Sequence, residues 1–208
     1  MRLLALLVVL CHASLAAADT FSVLTTAKPR WTYDVVKGKK HKPTGVKATL
    51  AVTGVHVAGA YTVIELDTTM DPASNTEFHV QPGTWIIGPD GLREVLFFSA
   101  DDGGYTEAHV ASSYKAHYVP RAYLQLTPAV KHKLHWKLER FGDEDREYNV
   151  TGSIAKLDAH TWRTAWKGAF VVPENGEKDA YSWSTDYDPA VGFTQICTEA
   201  DVCLRLQR

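Results

Sequence analysis

Apolar and polar residues alternate with a period of two along much of this chain. The clearest case is Val130 to Glu139, where apolar positions take turns with a face rich in lysine. Because successive side chains of a strand point to opposite faces, this pattern predicts a half-buried strand with one side in water. Shorter segments of strand-like sequence predict further strands at 31–35, 46–52, 60–67, 84–87, 92–98, 181–187, 191–196 and 202–206.

Turn-forming residues separate these segments, and convincing helical periodicity is scarce. Gly88-Pro89-Asp90-Gly91 has strong turn chemistry between two predicted strands, and the best helix candidates are Ala108 to Ala116 and a short turn near Ala155 to Ala159. Many short strands spaced about 8–12 residues apart are typical of a sandwich or a barrel. We therefore predict a single all-β domain at 19–208, an antiparallel β-sandwich with extra C-terminal strands, and a β-barrel as the alternative.

The N-terminus has the features of a cleaved signal peptide. Arg2 provides a positive start, Leu3 to Leu10 form a short apolar core, and Ala16-Ala17-Ala18 supply a small-residue cleavage site before Asp19. The apolar run is shorter than the ~20 residues that a membrane-spanning helix needs. We expect a signal peptide at 1–18, a secreted or periplasmic protein and no membrane span, with a lipid anchor at Cys11 as the alternative.

Charge and cysteine content narrow the class of protein further. The chain has a net charge of −2, and after loss of Arg2 with the signal it keeps 21 basic and 24 acidic residues, a net charge of −3. Nucleic-acid-binding domains are usually strongly basic, so we expect no nucleic-acid partner. The mature chain keeps two cysteines, Cys197 and Cys203, and an even count in an oxidising compartment predicts one disulfide near the C-terminus.

Part of the chain resembles a known family. Gly45 to Leu138 begins with a paired-strand opening, continues through WIIGPDGLRE with its Asp90-Gly91 turn, and ends in LQLTPAVKHKLHWKL. This pattern is similar to the immunoglobulin-like family of exported bacterial domains of unknown function that includes a small secreted mycobacterial antigen. Leu126-Thr127-Pro128 matches the family's Leu-x-Pro-Gly motif, but Ala129 replaces its glycine. The resemblance implies an immunoglobulin-like β-sandwich with a binding or structural role and no catalytic residues.

A shorter motif supports the barrel alternative. Gly83-Thr84-Trp85 is a Gly-x-Trp motif, which opens the first strand of lipocalin-like barrels. The motif lies in the middle of this chain instead of near its start. It keeps open a barrel that carries a small apolar ligand.

The candidate binding residues are two tryptophans and one residue in each of two loops. Trp162 and Trp166 would share one face of a strand, where they would stack on sugar rings or grip an apolar partner if exposed, or fill the core if not. His41 lies in a basic loop at 38–45, and Asp102 lies in an acidic turn at 99–105. The leading hypothesis is an exported non-catalytic binding or structural protein whose partner is a protein, a glycan or a small apolar ligand.

An exported hydrolase or metal-dependent enzyme is the rival hypothesis. Its site would be assembled from distant residues, with His109, His117 and Asp102 as the nominees. His132 and His135 are the closest histidine pair, but their odd spacing on a strand would put them on opposite faces. The sequence contains no His-Glu-x-x-His motif and no zinc-type cluster, so it predicts no cofactor and leaves the metal question open.

Overall fold

The computed structural model describes residues 20–26, 29–38, 40–72, 84–89, 91–95, 98–116, 118–125, 131–141, 144–172, 174–197 and 202–207. Within these ranges, the side chains of 116, 118–125, 131–141, 144–148, 150, 170, 179 and 181 are not described. The predicted signal peptide, the motif at 126–129 and His117 lie outside the described residues, as do the side chains of His132 and His135.

Two helices and a dozen strands make up the described chain. The helices are α1 (Ser22–Thr25) and α2 (Glu107–Ala116), with a 3-10 turn at Ala100–Asp102 before α2. The strands are β1 (Arg30–Lys37), β2 (Lys42–Ala58), β3 (Tyr61–Asp71), β4 (Thr84–Gly88), β5 (Gly91–Val95), β6 (Tyr118–Gln125), β7 (Lys131–Phe141), β8 (Glu144–Lys156), β9 (Trp162–Val172), β10 (Glu177–Asp188), β11 (Gly192–Cys197) and β12 (Val202–Leu206).

All of these strands belong to a single antiparallel sheet. Their order is β6-β5-β4-β3-β2-β1-β12-β11-β10-β9-β8-β7. The described strands therefore run outward from β1 in the middle of the sheet to β6, continue at the opposite edge with β7 and return strand by strand to β12 beside β1. The prediction of a two-sheet immunoglobulin-like sandwich is wrong, because the described strands form one continuous hydrogen-bonded sheet. The coarser prediction of a mainly β protein is confirmed.

The sheet curls into a half-barrel around its apolar face. Four strands lie between Trp85 on β4 and Phe193 on β11 in the sheet, yet their ring centroids are 4.8 Å apart. Edge strand β6 also approaches β8, β9 and β10. The curl explains why one sheet can build an enclosed core without a second layer, and it is closer to the barrel alternative than to the sandwich.

Large rings fill the described part of this inner space. Phe21, just before α1, is fully buried, and the hydroxyl of Tyr187 donates a hydrogen bond to the carbonyl of Thr20, so the N-terminal segment packs inside the curl. Such packing gives no support to a lipocalin-like cavity for an apolar ligand in this part of the interior. The other buried rings of the cluster are Trp31, Tyr33, Trp85, Tyr187 and Phe193.

A smaller apolar cluster lies on the outer face of β3, β4 and β5, under α2. Val110 and Tyr114 of α2 are buried there against Val63 and Ile86. The Tyr114 ring covers Gly88 so closely that a Cβ at this position would stand 2.6 Å from the ring. The helix predicted at 108–116 is thus confirmed, and it covers only one end of the outer face. The short helical turn predicted near 155–159 is not found, because 155 and 156 end β8.

The described helices do not include one that is long and apolar enough to span a membrane.

Candidate functional site

An open groove of about 760 Å³ lies on the outer face of the sheet, at the end that α2 leaves uncovered. Neighbouring strands β8 to β12 supply its lining, and the turn between β1 and β2 closes one end. Because side chains alternate along a strand, the residues between the core positions point into the groove. The groove residues are Gly38, His41, Thr151, Gly152, Ser153, Arg163, Ala165, Trp166, Lys167, Ser182, Trp183, Ser184, Gln195, Cys197 and Cys203.

Hydroxyl groups form much of the groove wall. Thr151 and Ser153 follow each other on the outer face of β8, and Ser182 and Ser184 do so on β10. A hydroxyl both donates and accepts hydrogen bonds, so these rows can match a ligand that carries hydroxyl or carbonyl groups. The arrangement suits the recognition of a polar ligand.

A salt bridge holds one groove residue in place. Arg163 on β9 and Asp186 on β10 lie directly opposite each other in the sheet. Arg163 Nε donates to Asp186 Oδ1 and Nη2 donates to Oδ2, both at 2.7 Å. Asp186 raises the pKa of the guanidinium above its ordinary value, mainly through these hydrogen bonds. A bidentate pair of this kind fixes the direction of the arginine side chain.

Lys167 is the exposed cation of the groove. It lies between Thr151 on β8 and Ser182 on β10 in the register of the sheet. No carboxylate lies within ion-pair distance of its ammonium among the residues that the structure describes. Its charge is therefore available to an anionic ligand, in contrast to that of Arg163.

The turn between β1 and β2 brings more basic residues to the same end of the groove. His41 adopts a positive φ of 47°, and its Nδ1 lies 3.4 Å from Nη2 of Arg205 on β12. Lys40 and Lys42 flank His41 and are exposed. Asp34, the nearest acidic residue on β1, accepts a hydrogen bond of 2.6 Å from Gln207. The described residues on either side of His41 are therefore basic, and Asp34 lies opposite Arg205 in the sheet.

The predicted disulfide is present beside His41. Cys197 and Cys203 face each other on β11 and β12 and are bonded. Nε2 of His41 lies 3.9 Å from Sγ of Cys203, and Gln195 donates to Sγ of Cys197 at 3.2 Å. The bridge thus fastens the C-terminal strand at the base of the groove, where the predicted binding residue His41 lies.

Neither predicted binding tryptophan presents an exposed ring to the groove. Trp162 is half-buried against the inner core, and Trp166 is only 1% exposed. The Trp166 ring lies over Gly152 on the inner side of β8. Of the two interpretations of these tryptophans, the structure favours the one in which they fill the core, although Trp166 also borders the groove from below.

Asp102 and His109 lie at the other end of the sheet, away from the groove. Asp102 is exposed in the 3-10 turn, and His109 on α2 lies against Phe98 and the carbonyl of Ser99. The described residues contain no group of three or more metal-ligating side chains. Asp102 and His109, the two described nominees of the enzyme hypothesis, therefore belong to no metal-ligand group within the described residues.

Near them, three other side chains form a compact polar cluster that the sequence did not indicate. The rings of His56 and Tyr105 stack with centroids 3.7 Å apart, and Glu65 accepts a hydrogen bond from the Tyr105 hydroxyl. His56 Nε2 lies 3.4 Å from the other oxygen of Glu65. The hydrogen bond to Glu65 raises the pKa of Tyr105 to about 12. The cluster fastens the segment before α2 to the outer face of β2 and β3.

Three described glutamates in this part of the protein have separate surroundings. Glu65 faces outward on β3, whereas Glu94 lies on the same face of β5 as the core residue Leu92 and is buried. Glu107 caps the hairpin between β2 and β3 by accepting a hydrogen bond from the amide of Ala60.

The fold and the groove together define a curled antiparallel β protein with a polar, partly basic outer face. No protein-family model matches the chain, and no curated protein matches its sequence. A "putative lipoprotein" from Parabacteroides distasonis ATCC 8503 is similar with a TM-score of 0.45 and 10% identity over 85% of this chain and 92% of that one. A "putative exported protein with YmcC-like fold" from Bacteroides fragilis NCTC 9343 gives 0.40 and 10% over 86% and 93%. Similarity at this level transfers no function.

Proposed function

We propose that this protein is an exported, non-catalytic binding protein that holds a polar ligand in the groove formed by β8 to β12. The observation that carries the proposal is the groove itself, whose open volume falls within the range of about 300–1,000 Å³ typical of ligand sites. Its hydroxyl, amide and cationic side chains can bind a polar molecule. Export rests on the signal peptide predicted at 1–18.

The position of the groove within the sheet supports a binding role. Each of its five strands is hydrogen-bonded on both sides, so the backbone that carries the lining side chains is rigid. Inner-face packing, the Arg163–Asp186 pair and the disulfide hold these strands from behind and from the side. Sites built on regular elements keep their side chains in place with little ordering cost on binding.

Nuclear magnetic resonance tests this proposal without knowledge of the natural ligand. The ¹⁵N-labelled mature protein is titrated with a maltooligosaccharide, an oligogalacturonate, an oligoglutamate peptide, an oligothymidylate and palmitate. We expect at least one polar probe to shift the amides of 151–153, 165–167 and 182–184. Mass spectrometry of the recovered probe should show it unchanged, whereas cleavage would favour the hydrolase hypothesis.

A matched pair of variants controls for nonspecific shifts. Ser184→Leu fills the groove, and Ser112→Leu adds the same side chain on the exposed face of α2. The amide shifts should disappear in the first variant and persist in the second. If no probe shifts the groove amides of the unaltered protein, or if Ser184→Leu binds equally well, the proposed function fails.

A further inference from the structure

We infer, within the proposed binding function on which this step rests, that the groove takes an anionic oligosaccharide laid across the strands. Lys167 would bind an acidic group of this chain, and Ser182 and Ser184 would bind its ring hydroxyls. The basic end of the groove at His41 would take a second acidic group. Three properties of the groove lead to this assignment. They are its length, its charge, and the lack of an open strand edge and of exposed aromatic rings among its described residues.

The length of the groove favours an extended ligand. Its lining runs over five neighbouring strands, from Thr151 on β8 to Cys203 on β12. Strands of a sheet lie about 4.8 Å apart, so four gaps span roughly 19 Å. Side chains along the whole of this span border the groove. A single small anion would contact only one part of it, whereas a chain of sugar rings would contact each strand in turn.

The charge of the groove favours acidic groups on that chain. None of the described residues that line it is acidic, and the ionisable ones are His41, Arg163 and Lys167. Asp186 already offsets the charge of Arg163, which leaves Lys167 as the uncompensated cation. Arg205 and Lys42 add positive charge beside His41. A charge-assisted hydrogen bond from Lys167 to a carboxylate is stronger than a neutral one.

The lining fits a saccharide better than an acidic peptide or a nucleic acid. A peptide that binds along a sheet usually adds a strand to an open edge, but all five groove strands are paired on both sides. Single-stranded nucleic acids usually stack on exposed aromatic rings. Of the two tryptophans that border the groove, Trp166 is almost fully buried and Trp183 packs partly buried against the inner core. Rows of hydroxyls with isolated cations match a ligand rich in hydroxyls and carboxylates.

Calorimetric titration distinguishes the contribution of the ligand's charge from that of its sugar rings. The mature protein is titrated with oligogalacturonate and with a maltooligosaccharide of the same length, at low and high salt. We expect the acidic sugar to bind on the order of ten times more tightly than the neutral one, because a charge-assisted hydrogen bond to the exposed Lys167 is stronger than a neutral one. High salt should reduce this preference, because the groove is open to solvent.

Two lysine variants locate the contact. Lys167→Gln should weaken oligogalacturonate binding about tenfold and leave maltooligosaccharide binding unchanged. Lys115→Gln removes an exposed lysine from α2, outside the groove, and should change neither. Ser184→Ala should weaken the binding of both sugars. This combination assigns the charge preference to Lys167 and the shared contacts to the hydroxyl rows.

Each contrary result overturns a defined part of the assignment. Equal binding of the two sugars would reject the anionic class while the groove remains a binding site, and an unaltered affinity in Lys167→Gln would reject Lys167 as the contact for the acidic group. Tighter binding of oligoglutamate or oligothymidylate than of oligogalacturonate would reject the saccharide. If the groove amides respond to none of these probes, the proposed function fails together with this inference.

Discussion

The indole ring of Trp166 lies against the backbone of Gly152 on the neighbouring strand, so that a Cβ added to Gly152 would stand 2.1 Å from Cε3 of Trp166. The contact is on the inner face of the sheet. Thr151 and Ser153, the residues on either side of Gly152, belong to the outer face and line the groove. Packing inside the curl therefore sets the position of the strand that carries part of the candidate site.

Gly152→Ala should destabilise the protein by about 1–3 kcal/mol, because the added methyl group forces the ring or the strand to move. Chemical denaturation monitored by tryptophan fluorescence measures the change. Ser153→Ala, on the same strand but on the outer face, is the control and should change the stability by less than about 0.5 kcal/mol. An equal loss in the two variants would show that the Gly152–Trp166 contact is not responsible.

The Arg163–Asp186 pair should contribute to stability as well as to the shape of the groove. The Asp186 side chain is 11% exposed and that of Arg163 is 43% exposed, so water solvates the charge of the arginine better than that of the aspartate. Asp186→Asn should therefore cost about 1–2 kcal/mol, less than hydrogen bonds to a fully buried charge. Thermal unfolding measures the loss, with Lys167→Gln as a control that has no described carboxylate partner.

A double-mutant cycle with Arg163→Gln and Asp186→Asn isolates the pair itself. The sum of the stability losses in the two single variants should exceed the loss in the double variant, because either substitution alone already removes the shared hydrogen bonds. Additive losses would mean that the two side chains stabilise the protein independently, which contradicts the bidentate geometry.

The faces of many strands could be predicted from the sequence, but the arrangement of the sheet could not. Period-two alternation identified β12 with its observed bounds and most of β1, β7 and β10. The same alternation arises in a sandwich and in a curled sheet, because each buries one face of every strand. Nothing local indicates that β1 pairs with β12 at the far end of the chain. The sandwich was therefore predicted where a half-barrel is found.

The candidate site shows the same limit at the level of single residues. The sequence placed Trp162 and Trp166 on a common face, but the identity of that face depends on Gly152 across the strand pair. His41 was singled out from its basic loop, whereas Lys167 and the serine rows were not, because isolated polar residues on a strand normally mark a solvated face. Only the curl and the neighbouring strands bring them into one groove.

Loss of the Cys197–Cys203 disulfide should have a moderate effect on stability. The cysteines are six positions apart, and the chain-entropy model gives a loop of this size about 2 kcal/mol. Reductant should lower the denaturation midpoint of the unaltered protein accordingly. The Cys197→Ser/Cys203→Ser variant should have the same lowered midpoint with and without reductant. A midpoint that reductant leaves unchanged in the unaltered protein would contradict a stabilising bridge.

Tyr105 should ionise far above the usual range in the folded protein. Its pKa is raised from 10.0 to about 12, first by the hydrogen bond to Glu65, then by burial and by the charges of Glu65 and Asp101. Because the folded state holds the phenolic proton more tightly than the unfolded state, this stabilisation is complete below pH 10 and is lost as the pH rises toward 12. Tyrosinate absorbance, compared between the unaltered protein and Tyr105→Phe, measures the titration of this one residue.

Two further variants identify the cause of that shift. Glu65→Gln removes the charge and weakens the hydrogen bond, so the pKa of Tyr105 should fall toward 10, and not fully to it because burial persists. Asp101→Asn should lower it much less, since Asp101 is the smallest contributor. Circular dichroism at each pH confirms that the chain is still folded where the titration is measured. Ionisation of Tyr105 near pH 10 in the unaltered protein, or an unchanged pKa in Glu65→Gln, would mean that Glu65 does not hold the segment before α2 through this tyrosine.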